Sequence, residues 1–428
     1  MLSTIVSHPA RWLVATGLIA ALGGCGGSSP DPLDEYRTQA VQWGECDPTI
    51  LGRPIEGLGV VPLAGRLQCA QVRAPMDWSA PQRGDVSLAV MRMAAGRPEV
   101  RRGALFFNPG GPGIDGLFMT LRLWTAFADS NPANPQGARQ LRLLDEYDMV
   151  GFSPRGVGAS TRLSCATNEL MRFVDYSAAG WDTPENIANA HYNGRKQAEA
   201  CARNPLTPYI NTDATARDMD LLRGLLGDEK LNYLGYSYGT WLGAWYASLF
   251  PEKVGRMVLD SATDFSATTE QMLHGQPPAR QRLFDEVLAP YAARHPDFFR
   301  LGANEAEVRA AIPRLAPRVQ GVLAPHLNGL GYLRKNAADY LIHIAAAQGL
   351  DAALRSVPDA ADTDAVRGAL ALHPFAPGDL QHDAQLRELA WQLYGSYRGT
   401  WLNPVVENIQ LDEATGIAIR CNDTPSTT

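Results

Sequence analysis

Short apolar runs that end in glycine or proline recur between residues 100 and 260 of the 428-residue chain. Runs of this kind fit strands that are buried on both faces, which is typical of a parallel sheet. Two earlier runs alternate apolar with polar positions and also indicate strands. The pattern therefore predicts six strands, over 67–77, 86–94, 103–107, 147–152, 231–236 and 256–259.

Helical periodicity fills the intervals between these strands. The segment 215–226 places Met219, Leu222 and Leu226 on one face, and the segment 241–250 follows the fifth strand and stops at a proline. Strand, helix and strand at this spacing predict a doubly wound sheet. From about 265 to 399 helical periodicity prevails without a convincing strand, which indicates a helical insertion after the sixth strand.

The first residues have the pattern of an export signal. Arg11 precedes an apolar run over 12–22, which is too short for a membrane-spanning helix of roughly 20 residues. The run ends in Leu-Gly-Gly-Cys25, which resembles a bacterial lipobox. We expect a lipoprotein signal peptide over 1–25, a lipid anchor on Cys25 in the cell envelope, and a tether over 26–45. The alternative is an ordinary signal peptide with an incidental cysteine.

Composition narrows the function classes. With 45% hydrophobic and 19% charged residues the chain is globular, and a net charge of −7 argues against nucleic acid as a partner. None of the five cysteines beyond Cys25 forms a C-x-x-C pair, and no histidine stands at ligand spacing, so we predict no metal site. In an oxidising compartment these residues form disulfides instead. The five are Cys46, Cys69, Cys165, Cys201 and Cys421.

The sharpest chemical signal is the pentapeptide Gly235-Tyr-Ser-Tyr-Gly239, a G-x-S-x-G pattern between a predicted strand and a predicted helix. A serine in this position sits on a tight turn that projects its hydroxyl from the sheet. The two glycines remove side chains that would collide with neighbouring backbone, and the helix directs its positive end at the site. We predict Ser237 as a catalytic nucleophile.

A glycine-rich loop over 108–113 follows the third strand. In hydrolases such a loop donates one backbone N–H to an oxyanion, and the residue after the nucleophile donates the second. Gly110 and Gly111 are both candidates for the first donor, and Tyr238 is the candidate for the second. The segment 111–116 also fits the G-x-G-x-x-G pattern of dinucleotide sites. A proline inside it and the absence of a following strand that ends in an acid disfavour this alternative, so we predict no cofactor.

Four segments together resemble the secreted tripeptidyl aminopeptidase and prolyl iminopeptidase group of α/β-hydrolases: NPGGPGIDG, YDMVGFSPRGVGAS, LNYLGYSYGTWLGAWYASLFPEKVGRMVLD and GIAIRCND. The resemblance runs from about residue 67 to the end. It implies an α/β-hydrolase fold with a mostly parallel, doubly wound sheet and a helical cap that restricts entry to peptide N-termini. The implied bounds are a core over 46–264, a cap over 265–400 and a return to the core over 401–428.

The resemblance also assigns roles to single residues. Ser237 falls on the family's nucleophile, which implies an exopeptidase that releases short peptides or residues through an acyl-enzyme. We interpret Arg155 as a structural tie. Ser153 stands where the family usually has Asp, and Asp115 stands where a small Ser is usual, which leaves fine substrate preference open. The pairings Cys46–Cys69 and Cys165–Cys201 are suggested by the resemblance, and each joins positions close in sequence.

The rest of a catalytic triad is not visible. In this fold the acid and then the histidine follow the serine in the chain. The histidines after Ser237 all fall in the helical insertion, and none follows Cys421, where the family continues with two more strands. Asp260 is an alternative acid that the family motif treats as structural. We expect the chain to be truncated before its last two strands and its triad. Alternatives are an esterase of the same fold and a catalytically silent surface-binding lipoprotein.

Overall fold

The computed structural model of the protein describes residues 31–46, 65–175, 182–330, 336–402, 405–407 and 411–423. The predicted signal peptide and the Cys25 anchor lie outside these residues. The described strands are β1 (Leu67–Pro75), β2 (Asp85–Met93), β3 (Ala104–Asn108), β4 (Asp148–Phe152), β5 (Leu170–Arg172), β6 (Leu231–Tyr236), β7 (Val254–Asp260) and β8 (Val405–Glu407).

The helices divide between the sheet and the insertion. The helices α1 (Asp34–Arg37), α2 (Gly116–Ala128), α3 (Pro135–Glu146), α4 (Pro184–Ala202), α5 (Thr212–Leu225) and α6 (Tyr238–Leu249) precede or alternate with the strands. The insertion holds α7 (Thr269–Leu283), α8 (Ala289–Ala293), α9 (Pro296–Phe299), α10 (Glu305–Arg309), α11 (Pro317–Leu330), α12 (Ala337–Ser356), α13 (Thr363–Leu372) and α14 (Leu380–Leu402), and α15 (Leu411–Asp423) follows. None of the described helices is long and apolar enough to cross a lipid bilayer.

All six predicted strands are present, and they form one sheet in the order β1-β2-β4-β3-β6-β7. The pairs β1–β2 and β2–β4 are antiparallel, whereas β4–β3, β3–β6 and β6–β7 are parallel. The sheet is therefore mixed, with its parallel part around β3 and β6. Because β3 and β6 are parallel neighbours, the two loops that follow them meet at one edge of the sheet.

Helices cover both faces of this sheet, as the doubly wound prediction requires. Along β2, Leu88 and Val90 pack into a core shared with α5 and α6, and the intervening Ala89 packs into a second core shared with α2 and α3. This alternation follows from the two-residue period of a strand. The sheet is thus a middle layer between two layers of helices, which is the arrangement that the apolar strands predict.

The insertion has a hydrophobic core of its own. Buried residues from Phe284 to Tyr394 form a third cluster that contains only residues of the insertion. No strand occurs among the described residues of 269–402. We call helices α7 to α14 the cap. A separate core lets the cap keep its shape independently of the sheet beneath it.

Residues 31–45, which fall within the expected tether over 26–45, pack on the sheet. Tyr36 is 1% exposed, and its hydroxyl donates to the carboxylate of Asp85. Gly44 pairs with Cys69 of β1 through two backbone hydrogen bonds of 3.0 Å. The polar composition of this segment hid the single buried aromatic ring that anchors it, and burial of such a ring outweighs a polar neighbourhood.

Both disulfides have the expected partners. Cys46 joins Cys69, and Cys165 joins Cys201, across 23 and 36 residues of sequence. Cys421 is a free, exposed thiol. The first bridge fixes residues 31–46 to β1, and the second fixes the C-terminal end of α4 to the segment after β4.

Candidate active site

Ser237 occupies a strained turn between β6 and α6. Its backbone angles are φ 54° and ψ −121°, a positive φ that a residue with a side chain rarely adopts. The side chain is exposed. The Ser237 N–H donates to the backbone oxygen of Asp260 over 3.2 Å, which ties the turn to the end of β7. The strand, the turn and the helix together project this hydroxyl from the edge of the sheet.

The two glycines of the pentapeptide are required by close backbone contacts. A Cβ on Gly235 would lie 2.4 Å from the backbone oxygen of Gly239. A Cβ on Gly239 would lie 2.6 Å from the backbone oxygen of Asn108. Both distances are far below van der Waals contact, so any larger residue would push α6 away from β6 and β3. The turn at Ser237 therefore depends on both glycines.

The glycine-rich loop after β3 lies directly against this turn. A Cβ on Gly110 would lie 2.6 Å from the backbone oxygen of Tyr236 and 3.0 Å from Cβ of Ser237. The N–H of Gly110 donates to Oδ1 of Asn108 over 2.9 Å. That N–H is already committed, so Gly110 supplies the close approach of the loop rather than a donor for a ligand.

Two backbone N–H groups near Ser237 are left without acceptors among the described residues. They belong to Gly111 and to Tyr238, the first residue of α6. The first N–H groups of a helix have no partner within the helix. The structure therefore favours Gly111 over Gly110 as the oxyanion donor, whereas the sequence alone leaves the two glycines as equivalent candidates. Two donors beside one exposed hydroxyl can stabilise a negatively charged oxygen.

The helix α15 braces the glycine-rich loop from the other side. Nη2 of Arg420 donates to the backbone oxygen of Gly111 over 3.4 Å. A Cβ on Gly416 would lie 2.8 Å from the backbone oxygen of Pro112, so the helix and the loop are in close contact. The hydroxyl of Thr415 donates to the backbone oxygen of Gly156 over 2.8 Å and fixes the helix to the segment after β4.

A second set of contacts joins α15 to the first turns of α5 and α6. The carboxylate of Asp423 accepts the Thr212 N–H over 2.8 Å and also contacts the Thr212 hydroxyl. The same hydroxyl contacts the phenol of Tyr238. Burial raises the pKa of Asp423 above its usual value, against hydrogen bonds that lower it. Burial likewise raises the pKa of Tyr238, which stays a neutral hydrogen-bonding group.

Ser237 lies in a cleft between the sheet edge, α15 and the first cap helix. Its walls are mainly apolar, with one cation and one anion. Its lining includes Trp241, Met272, Leu273, Ile419, Arg420 and Asp423. Since Met272 and Leu273 belong to α7, the cap supplies one wall of the cleft.

No group that could act as a general base reaches Ser237 in the described structure. A base must approach the hydroxyl to about 2.6–3.2 Å. None of the described histidines lines the cleft. Asp260 is exposed, and its carboxylate accepts the neighbouring Ser261 hydroxyl over 3.2 Å. Its backbone, by contrast, holds the Ser237 turn. The described residues also contain no cluster of side chains suited to a metal ion.

Arg155 is the structural tie that the sequence suggests. Its guanidinium is fully buried and donates to both carboxylate oxygens of Asp218, at 2.6 and 2.8 Å. It also donates to the backbone oxygens of Pro75 and Met76. One side chain thus fastens β4, β1 and α5 to one another beneath the site.

Sequence reasoning missed Thr212, Arg420 and Asp423 as neighbours of Ser237. The segment GIAIRCND, which carries part of the family resemblance, contains Arg420 and Asp423. The family resemblance identifies this segment but does not indicate what Arg420 and Asp423 do. Thr212 is 211 residues from Asp423 along the chain, and only the docking of α15 brings them together.

Comparison with known proteins agrees with this geometry. The family model described as alpha/beta hydrolase fold matches residues 103–332. The tripeptidyl aminopeptidase of Streptomyces coelicolor is 40% identical over 204 residues, 46% of this chain and 35% of that protein. The serine protease Hip1 of Mycobacterium bovis is 33% identical over 262 residues, 60% of this chain and 45% of that protein.

A third relative is named for a different activity. Carboxylesterase B of Mycobacterium tuberculosis is 37% identical over 235 residues, 53% of this chain and 42% of that protein. The chain spans less than half the length of each of these three relatives.

Proposed function

Because the chain belongs to the alpha/beta hydrolase family, we propose that it is a serine peptidase that uses Ser237 to release residues or short peptides from peptide N-termini. The observation that carries the proposal is the exposed Ser237 hydroxyl on a strained turn beside the free N–H groups of Gly111 and Tyr238. The names of the two peptidase relatives support a peptide substrate.

The proposed reaction begins with attack of the Ser237 hydroxyl oxygen on the scissile carbonyl. The carbonyl oxygen becomes an oxyanion that accepts hydrogen bonds from the Gly111 and Tyr238 N–H groups, and loss of one such donor typically costs about 10²–10³ in rate. The peptide's amine leaves with a proton, and water then hydrolyses the acyl-enzyme and restores the serine. Arg420 donates to the backbone oxygen of Gly111 and thereby braces the loop that carries this N–H.

Proton transfer needs a base that the described residues do not bring to Ser237. A serine hydroxyl at neutral pH is a weak nucleophile without one. We therefore expect slow turnover by the 428-residue chain unless an external base is supplied. Added imidazole should raise the rate of the chain and should leave Ser237→Ala unchanged. Equal stimulation of both proteins would point to ordinary solution catalysis.

Esterase activity is the second candidate, supported by the carboxylesterase among the relatives. A tripeptidyl anilide and a p-nitrophenyl ester with the same acyl group discriminate between the two. A peptidase should cleave both, because esters are the easier substrates for an acyl-enzyme mechanism. Cleavage of the ester alone, under the same imidazole conditions, would replace the peptidase proposal by the esterase. Cleavage of neither would favour the catalytically silent alternative.

We also propose export and lipid attachment at Cys25, with the membrane as the partner of the lipid. The two disulfides support an oxidising compartment, where such bonds persist. Mass spectrometry of the mature protein should find an acylated N-terminal Cys25, and Cys25→Ala should yield a protein that no longer partitions into detergent. An unacylated N-terminus at another position would contradict the proposal.

A further inference from the structure

Asp423 is the one acidic side chain that lines the Ser237 cleft in the described part of the chain. It follows Arg420 by three residues, so both lie on one face of α15. Arg420 is directed at the oxygen of Gly111, and Asp423 is directed at the first turn of α5. The cleft therefore has a cation, Arg420, beside the glycine-rich loop and an anion, Asp423, beside the first turn of α5.

Among the described residues, the Asp423 carboxylate has hydrogen-bond donors but no counter-ion. It accepts from the N–H and the hydroxyl of Thr212, and the indole of Trp241 also stabilises its charged form. Within the described residues, no lysine, arginine or histidine nitrogen lies within 4.0 Å of it. A carboxylate can accept about four hydrogen bonds. One position therefore remains for a further donor from the cleft.

The surroundings favour a charged donor at that position. Trp241, Met272, Leu273 and Ile419 give the cleft apolar walls, and a pair of opposite charges attracts more strongly there than in water. An ammonium group would also offset the burial that raises the pKa of the carboxyl. Asp423 and Ser237 line the same cleft, so a short peptide segment bound there can contact both.

We propose that Asp423 binds the free α-amino group of the peptide substrate. The inference rests on the proposed function and deepens it, because it names the residue that would make the enzyme require a peptide N-terminus. Amine binding at Asp423 would place the first residues of the substrate in the cleft and a following carbonyl at Ser237. A purely structural role, in which Asp423 only holds α15 on α5, would not distinguish free from blocked peptides.

The experiment compares a tripeptidyl anilide with its N-acetylated form, in the presence of imidazole, for the wild type and Asp423→Asn. The wild type should prefer the free amine by on the order of 10²-fold in kcat/KM, since the charge-assisted contact is lost on acetylation. In Asp423→Asn the ratio should fall close to one, mainly through loss of rate on the free amine. Because the ratio is taken within one protein, a smaller folded fraction cancels.

The matched control is Glu199→Gln, an acid on α4 that pairs with Lys196 outside the cleft. It should keep the wild-type ratio. If Asp423→Asn lowers the rate on both substrates by the same factor, the role of Asp423 is structural and the proposal fails. A wild type that does not discriminate between the two substrates would also overturn it.

Binding to Ser237→Ala separates this proposal from the proposed function. A tripeptide amide should bind more tightly than its N-acetylated form by calorimetry, and the additional change Asp423→Asn should remove the difference. If this difference in binding is found but the wild type shows no turnover, amine binding at Asp423 is supported and the proposed peptidase activity is refuted. If both peptides bind equally well and the wild type turns over substrate, amine binding at Asp423 is refuted and the proposed peptidase activity is supported.

Discussion

The hydroxyl of Ser153, in the segment after β4, donates to Oδ1 of Asp115, the residue that caps α2, over 3.0 Å. The family resemblance leads us to expect Asp at position 153 and Ser at position 115, so each position holds the kind of residue expected at the other. We therefore predict that the two residues compensate for one another and preserve a carboxylate–hydroxyl contact beside the glycine-rich loop.

We predict that Ser153→Asp destabilises the protein, because it places a second carboxylate within hydrogen-bonding distance of Asp115. The expected loss is roughly 2–3 kcal/mol. The double change Ser153→Asp with Asp115→Ser should recover most of it, since serine also caps helices well. Denaturant unfolding of the wild type, both single variants and the double variant gives the coupling energy. Strictly additive effects would show that the two residues do not compensate.

Arg155→Met should be strongly destabilising, because it leaves Asp218 buried without its counter-ion. The expected loss of unfolding free energy is about 3–5 kcal/mol. Arg97→Met is the control, since the ion pair of Arg97 with Glu99 is more than half exposed and should contribute little to stability. Similar midpoints for the two variants in urea would contradict the structural role of Arg155.

Gly110→Ala should abolish most activity by displacing the glycine-rich loop from the Ser237 turn. Gly84→Ala separates this effect from backbone strain. Gly84 has a φ of 118°, close to the 103° of Gly110, but its added Cβ would meet nothing within 4 Å. Both variants should lose stability, and only Gly110→Ala should lose imidazole-stimulated hydrolysis. Equal activity losses would mean that strain, and not contact with the turn, explains the requirement.

The cap should lose stability in mild acid. The ring of His326 on α11 lies 5.9 Å from the ring of His343 on α12. Partial burial, and to a smaller extent the charge of His343, lower the pKa of His326 below 6.5. The unfolded chain then binds a proton that the folded cap does not. The contribution of neutral His326 to the stability of the cap is complete above about pH 6.5. It is lost as the pH falls towards and through the pKa of His326 in the folded state.

His326→Gln should flatten this dependence of the unfolding midpoint on pH. His343→Gln should flatten it less, because it removes the neighbouring charge but leaves the burial of His326. Midpoints measured by circular dichroism across this range provide the check. A wild-type slope that persists in His326→Gln would assign the acid sensitivity to other groups.

The sequence predicts the sheet and the Ser237 turn because both depend on local patterns. Buried parallel strands are short and apolar, and the turn needs a glycine on each side of the serine. The same patterns leave Gly110 and Gly111 equivalent. They differ only in the structure, where the Asn108 side chain takes the Gly110 N–H.

Asp423 and Thr212 could not be paired from the sequence, since their contact depends on how α15 docks on the core. The packing of Tyr36 was hidden for a related reason, because one buried ring in a polar segment leaves no periodicity. Local patterns therefore predict the elements, and long-range contacts decide which side chains share the cleft.

Covalent labelling shows whether Ser237 is the reactive group of this protein. The protein is treated with a fluorophosphonate, with and without imidazole, and the adduct is located by peptide mapping. Ser261 provides the matched control, since it also has a positive φ, of 58°, at the end of a parallel strand. We expect one adduct on Ser237, which forms faster with imidazole, is absent from Ser237→Ala and is unchanged in Ser261→Ala. An adduct that persists in Ser237→Ala, or no adduct on Ser237 in the wild type, would show that Ser237 is not the reactive group.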